Sequence, residues 1–304
     1  RKMIYHLFWN GVMEAKELLK TLSQDRDEVP SELSEDMNRP SLRRSQLELL
    51  ALSDETFRIA ARYLSDTEIL GRIQKWIQED KAGFLSKAIN NIDLPLVEVI
   101  NAITHYHYIT GGKYELSPPM EKGLRVSLIR RFFSDHLDFI NIAKNHIEVR
   151  HFYDLVQKII YPANGYGRLG GKSAGLFLAQ KILSAPGEHS EELGELKYPK
   201  TWYITTDAIM SFLSYNNLEE VNEQKYKEID QIRLEYHNVI QLMKNSHFPV
   251  EIIKGLAMAL DDLGDKPLIV RSSSLLEDRM GTAFSGKYKS LFLANTGSKQ
   301  ERLD

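Results

Sequence analysis

Apolar positions recur at helical spacing through the first half of the chain, and helix and strand patterns alternate in the second. The stretch from about Leu7 to Leu22 is amphipathic. Gln24 to Arg44 follows, rich in Asp, Glu, Ser, Arg and Pro, and reads as a mobile linker. Ser65 and Glu68 fit a capping box, after which Ile69, Leu70, Ile73, Trp76 and Ile77 form one stripe. Pro95 suits a first helical turn leading into Val99, Ile100, Ala102 and Ile103. Pro118-Pro119 reads as the end of an element, before Leu124, Leu128, Ile129, Phe132 and Phe133 resume the helical pattern. Residues 1–160 are therefore expected to form an all-α domain, a packing or adaptor unit.

The pattern changes at about residue 161. Asn164-Gly-Tyr-Gly-Arg-Leu-Gly-Gly-Lys172-Ser-Ala-Gly175 is a glycine-rich loop opening into a helix whose expected apolar face carries Leu176, Ala179, Ile182 and Leu183. An acidic, turn-rich insertion spans Pro186 to Pro199, and Trp202-Tyr-Ile-Thr-Thr206 reads as a strand. Asp207 is placed to cap the next helix. A longer helix carries Tyr226, Ile229, Tyr236, Ile240 and Met243. Another begins at Pro249, runs through Ile252, Ile253, Leu256 and Leu260, and stops at Gly264. A short buried strand is then expected to end at Arg271, with a hairpin-like run from Tyr288 to Leu293 closing the loop that follows it.

Composition narrows the class. The 304 residues are 42% hydrophobic and 27% charged, enough for a substantial core and about two domains. A net charge of −3 and a pI near 6.4 give no electrostatic reason to expect nucleic acid or an acidic membrane surface. No apolar run is long enough to cross a membrane, and no signal peptide is evident. Cysteine is absent, which removes disulfides, thiolate nucleophiles and Cys-based zinc sites and fits a reducing cytoplasm. The chain starts at Arg1 and stops at Asp304 amid polar residues, as expected of a piece of a longer protein.

Candidate chemistry concentrates in two places. At the glycine loop, N–H groups of a helix start, the helix dipole and Lys172 favour an anion. The G-x-x-x-x-G-K-[ST] pattern fails by one residue, because the glycine it needs is Tyr166, between Gly165 and Gly167. The second place is Ile269-Val-Arg271-Ser-Ser-Ser-Leu-Leu-Glu277-Asp278, with Gly281, Thr282 and Gly286 in the loop beyond. Arg271 offers a bidentate fork for phosphate oxygens, or an ion-pair partner for Glu277 or Asp278; the residues leave both open. His105 and His107 diverge on a helix, which argues against a metal site. Thr110-Gly111-Gly112 looks like the start of a phosphohistidine loop, but the next histidine is His136. Arg130-Arg131 reads as a solvated face.

Four blocks in order carry a family resemblance: Leu169-Gly-Gly-Lys172-Ser-Ala-Gly-Leu176, Trp202-Tyr-Ile-Thr-Thr206, Ile269 to Asp278, and Ala283-Phe-Ser-Gly286-Lys-Tyr288. Together, over about 161–304, they resemble the nucleotide-binding domain of phosphoenolpyruvate synthase and pyruvate phosphate dikinase. The resemblance implies an α+β architecture: an all-α helical domain over 1–160, then the first subdomain of an ATP-grasp nucleotide-binding domain over 161–304. It implies Lys172 and Arg271 on the ATP phosphates, Gly170, Gly171, Ser173 and Ser273 as auxiliary donors, and Glu277 or Asp278 orienting the basic pair. The loop from Gly281 through Thr282 to Gly286 would cover the phosphates.

The resemblance also implies Mg2+ with ligands beyond this chain, and transfer through a phosphohistidine on a later domain to pyruvate. Other acceptors in related dikinases are glucans and antibiotics. A reading of another class is a non-catalytic nucleotide-sensing module, and a homodimer is one arrangement open to the chain. The family's Pro-Pro-Gly turn before its Ile-Thr-Thr strand is replaced here by the acidic insertion and Pro199-Lys200-Thr201.

Overall fold

The computed structural model describes residues 1–27, 46–113, 116–185, 196–274, 278–279, 282–283, 288 and 290–303, with the backbone alone at 21–27, 46–47, 49, 278–279 and 282–283. The chain is mostly helical with a few short strands. It forms two compact units, Arg1–Asp80 with Glu115–Ser117, and Lys81–Tyr114 with Pro118–Asp304.

In the first unit, the amphipathic stretch is two helices, α1 (Lys2–Trp9) and α2 (Met13–Asp27), because Gly11 at φ 83° turns the chain between them. Gln24 to Asp27, expected in the linker, continue α2, and residues 28–44 lie outside the described residues. Helices α3 (Gln46–Tyr63) and α4 (Asp66–Asn90) follow. The capping box at α4 forms: the Ser65 N–H donates to Glu68 Oε2 (2.9 Å), and the Glu68 N–H to Ser65 Oγ (3.4 Å). Of the expected stripe, Ile69, Ile73 and Trp76 pack on a core of Met3, Ile4, Leu7, Val12, Ala15, Ile59 and Ala60, while Leu70 and Ile77 are exposed.

The second unit takes the rest of α4 and helices α5 (Leu96–Thr110), α6 (Pro118–Phe132), α7 (Leu137–His146) and α8 (Val149–Val156). Pro95 occupies the N-cap of α5, and Gly111 ends it in the left-handed region at φ 58°. Pro118-Pro119 open α6 instead of ending an element, consistent with proline's tolerance in a first turn, where no intrahelical N–H bond is lost. Val99, Ile103, Leu128, Ile129, Phe132, Phe133 and Phe152 build the core here. The pattern change near 160 is a change of element type, whereas the compact units part at Asp80, so α5–α8 share a unit with the glycine loop.

Beyond α8, strand β1 (Ile159–Ile160) pairs in parallel with β2 (Tyr203–Ile204). Helix α9 (Gly171–Leu183) lies between them in sequence. Its buried face is Ala174, Phe177 and Leu178, with Phe177 against Phe133 at 5.3 Å; Leu176, Ala179, Ile182 and Leu183 face outward. Helices α10 (Ala208–Tyr215), α11 (Ile229–Lys244) and α12 (Val250–Leu263) follow β2, with a 3-10 segment, Glu219–Tyr226, between the first two. Tyr226 therefore falls outside α11, which buries no residue. Pro249 and Gly264 bracket α12 as expected, and Ile252, Ala259, Ile160 and Ala208 share a small core.

Strand β3 (Leu268–Arg271) pairs antiparallel with β6 (Ser290–Leu293), from Leu268 opposite Leu293 to Arg271 opposite Ser290. The strand expected to be buried is largely exposed, because a two-stranded ribbon covers neither of its own faces. Strands β4 (Asp278–Arg279) and β5 (Thr282–Ala283) form a second small antiparallel pair, and α13 (Lys299–Leu303) follows β6.

Candidate functional site

The glycine loop is fastened on three sides before it reaches α9. The Leu96 N–H, at the start of α5, donates to Gly165 O (2.7 Å), and the Leu169 N–H donates to Phe132 O at the end of α6 (2.8 Å). The third side is the Thr206-Asp207 turn after β2. There the Thr206 N–H donates to Arg168 O (2.9 Å), and the Asp207 carboxylate accepts from the N–H groups of both Tyr166 and Gly167 at 2.8 Å.

This last contact corrects one expectation. Asp207 does sit at the N-cap position of α10, but its side chain makes no cap hydrogen bond and turns back to the loop. Two adjacent N–H groups aimed at one point form an anion-binding concavity, and here the chain fills it with its own carboxylate. Gly167 is required because a Cβ there would lie 2.0 Å from Asp207 Oδ1.

The start of α9 is closed by the end of β3, a hundred residues later in the chain. The Ser173 N–H donates to Ser273 Oγ (3.0 Å), and the Ser173 hydroxyl to the same oxygen (2.9 Å). The Gly171 N–H donates to Ser274 O (3.2 Å). Ser273 thus caps α9 in place of the local N-cap Gly170, which has no side chain to do so. Gly170 is held to glycine by the same docking: a Cβ would meet Ser273 O at 1.6 Å.

The structure therefore brings Gly170, Gly171, Lys172 and Ser173 together with Ser273, and sets Arg271 two residues before Ser273 at the end of β3. Two of the first-turn N–H groups expected to point outward, those of Gly171 and Ser173, are engaged within the chain. The positive charge offered by these elements is that of Lys172 and of the exposed Arg271. Glu277, Gly281 and Gly286 lie outside the described residues. Asp278 and Thr282 fall on the β4–β5 pair, in register with Ala283 and Arg279 respectively.

A cleft of about 570 Å³ borders the loop, lined by Pro162, Asn164, Tyr166, Asp207, Met210 and Glu251 among others. It includes none of the residues expected to hold phosphate. With carboxylates at Asp207 and Glu251, its charge is wrong for a triphosphate.

The remaining sequence candidates are structural. His107 stacks on Tyr153 at 3.6 Å and His105 lies against Phe84 at 5.0 Å. Arg131 is not solvated as expected: it donates to Leu94 O (2.6 Å), and burial first, then the nearby Arg168 charge, push its pKa down. Among the described residues, no group of three or more His, Cys, Asp or Glu could hold a metal, and no helix is long and apolar enough to cross a membrane.

Sequence reasoning missed Asp207, the Phe132 carbonyl and the Leu96 N–H as supports of the loop. The paired glycines at 165 and 167 were the one available signal, since a run of close backbone N–H groups calls for an anion.

No curated protein and no solved structure matches the chain. A family model described as pyruvate phosphate dikinase, AMP/ATP-binding domain, matches residues 166–304. The match takes in the glycine loop from Tyr166, α9, the Thr206-Asp207 turn and the β3 end, and it supports the similarity of residues 166–304 to the N-terminal ATP-binding domain of the pyruvate phosphate dikinase and phosphoenolpyruvate synthase family.

Proposed function

We propose that the α9 start and the β3 end form the triphosphate-binding part of a dikinase-type phosphotransferase, the first subdomain of an ATP-grasp domain spanning 161–304. The observation that carries this reading is the docking of Ser273 onto the first turn of α9, which fastens the lysine-bearing and arginine-bearing elements to each other. Lys172 and Arg271 neutralise phosphate charge, and the dipole of α9 adds to them at the same end. Ser273 and Ser173 fix the spacing between the two elements. Glu277 and Asp278 orient the basic pair, and the loop from Gly281 through Thr282 to Gly286 covers the phosphates. The absence of a Cβ at Gly170 lets backbone meet backbone at the junction.

ATP supplies the phosphoryl group, and positioning with charge neutralisation is most of what a protein contributes to its transfer. In this reading Mg2+ accompanies the ATP phosphates and takes its protein ligands from beyond this chain. In the dikinase reading, a phosphohistidine on a later domain receives the phosphoryl group and passes it to pyruvate or another acceptor.

The test is calorimetric titration of the chain with magnesium-ATP, in parallel with Lys172→Ala. Loss of a lysine hydrogen-bonded to phosphate is expected to weaken binding by about 1.5–3 kcal/mol, roughly tenfold to a hundredfold. Equal affinity in the wild type and in a folded Lys172→Ala chain overturns the assignment.

A further inference from the structure

We propose that Asp135 is a positioning residue for the glycine loop, holding Arg168 and through it the start of α9 in the geometry that receives phosphate. The proposal rests on the nucleotide-site reading above and extends it to a helical corner outside the matched segment 166–304.

Asp135 lies in the turn between α6 and α7. One carboxylate oxygen accepts from Arg168 Nη1 at 2.5 Å and the other from Arg130 Nε at 3.0 Å. Arg168 is a loop residue, two positions before Gly170 and four before Lys172. The next residue, Leu169, is buried and tied by its N–H to Phe132 O, at the end of the helix that leads into Asp135. A side-chain clamp and a backbone clamp thus join the same two segments side by side.

Charge makes the carboxylate specific. Three arginines meet at this corner: Arg130, Arg131 and Arg168. Arg131 is turned inward onto Leu94 O, with its Nε buried and without a hydrogen-bond partner, and it feels the Arg168 charge. Asp135 is the carboxylate that bonds two of the three. Without its charge, Arg168 faces two like charges and has reason to swing away, drawing on the backbone that leads into Gly170 and Lys172.

Asp135 and Arg168 are both partly exposed, with side-chain exposures of 49% and 36%. Pairs of this kind contribute little to global stability, on the order of 0–1 kcal/mol. Substitution therefore separates positioning from folding.

The experiment uses the whole 304-residue chain as Asp135→Asn, Asp135→Glu and Lys172→Ala variants, with two readouts. Amide hydrogen exchange over residues 164–175 is expected to quicken in Asp135→Asn and to return toward wild type in Asp135→Glu, with the melting temperature little changed. Titration with magnesium-ATP is expected to show affinity lowered about threefold to tenfold in Asp135→Asn and recovered in Asp135→Glu.

Exchange over the loop that is unchanged in Asp135→Asn overturns the proposal whatever the nucleotide result. So does wild-type affinity in Asp135→Asn when Lys172→Ala has lost binding. Equal binding by the wild type and Lys172→Ala, with exchange altered in Asp135→Asn, overturns the nucleotide-site reading instead and leaves Asp135 as the holder of the loop.

Discussion

Gly170→Ala puts the packing at the α9 start to its hardest test. The added Cβ would lie 1.6 Å from Ser273 O and 2.2 Å from Ser273 C, both backbone atoms. Reaching an ordinary contact of 3.4 Å requires the β3 end to withdraw from α9, since no rotamer change can move a carbonyl. Withdrawal breaks the bonds from Ser173 N–H and Ser173 Oγ to Ser273 Oγ, now at 3.0 and 2.9 Å. Overpacking costs about 1–3 kcal/mol, and each lost hydrogen bond about 1 kcal/mol more. The expected destabilisation is about 3–5 kcal/mol, or a melting temperature lower by roughly 6–20 °C for a unit of this size. Gly175→Ala is the matched control: Gly175 lies in the same helix on an exposed face, and a Cβ there meets nothing within 4 Å. That variant should be neutral to stabilising by up to about 1 kcal/mol, from the helix preference for alanine. Scanning calorimetry on both decides the matter. Gly170→Ala melting with the wild type would show that β3 does not dock on α9 as described.

Two further outcomes follow from the same unit. Asp207→Ala removes the acceptor of two backbone N–H bonds at 2.8 Å and should destabilise by about 2–4 kcal/mol, with Asp207→Asn milder because its carbonyl oxygen still accepts; equal urea midpoints for all three chains would refute the loop role of Asp207. His151 accepts the Glu148 N–H on Nδ1 at 3.0 Å in the capping box of α8, and burial first, then Lys181, push its pKa down to about 4. A folded-state value below that of the unfolded chain means the neutral ring is favoured. The contribution is therefore complete above about pH 6.5 and is lost as pH falls toward 4, by about 1–2 kcal/mol after allowing for partial exposure. His151→Gln keeps an acceptor without the titration, so it should lose less stability than the wild type between pH 7 and pH 4.5 on the acid arm of a urea series; equal losses would clear His151.

The sequence was most legible where one local rule decided the outcome. Ser65 with Glu68, Pro95, and Pro249 with Gly264 marked helix ends that the structure reproduces, because caps depend on a few neighbouring residues. It was least legible where two readings satisfied the same pattern. Helix α9 carries apolar residues all round, so Leu176, Ala179, Ile182 and Leu183 fitted one stripe while Ala174, Phe177 and Leu178 fitted another. Phe133 favours the second by packing on Phe177, and that contact spans 44 positions. Likewise, Leu268-Ile-Val reads as buried from its composition, but among the described residues β3 pairs only with β6 and is left largely exposed.

The candidate site divides along the same line. Glycine, lysine and arginine spacing singled out the two candidate elements, since each motif is contiguous. Their mutual placement depends on partners between 33 and 100 positions away: Asp135 on Arg168, Phe132 on Leu169, Asp207 on Gly167 and Ser273 on Ser173. Two of these supports, Phe132 and Asp135, come before the matched segment, as does the Leu96 N–H on Gly165 O. The helices α5 to α7 therefore do more for the loop than sit beside it. A chain begun at residue 161 would leave the Leu169 N–H, the Gly165 carbonyl and the Arg168 guanidinium without the partners they have here. The loop would then have to find its shape from Asp207 and from the Ser273 docking at its far end. Physical linkage therefore carries the support of the glycine loop upstream of the matched segment.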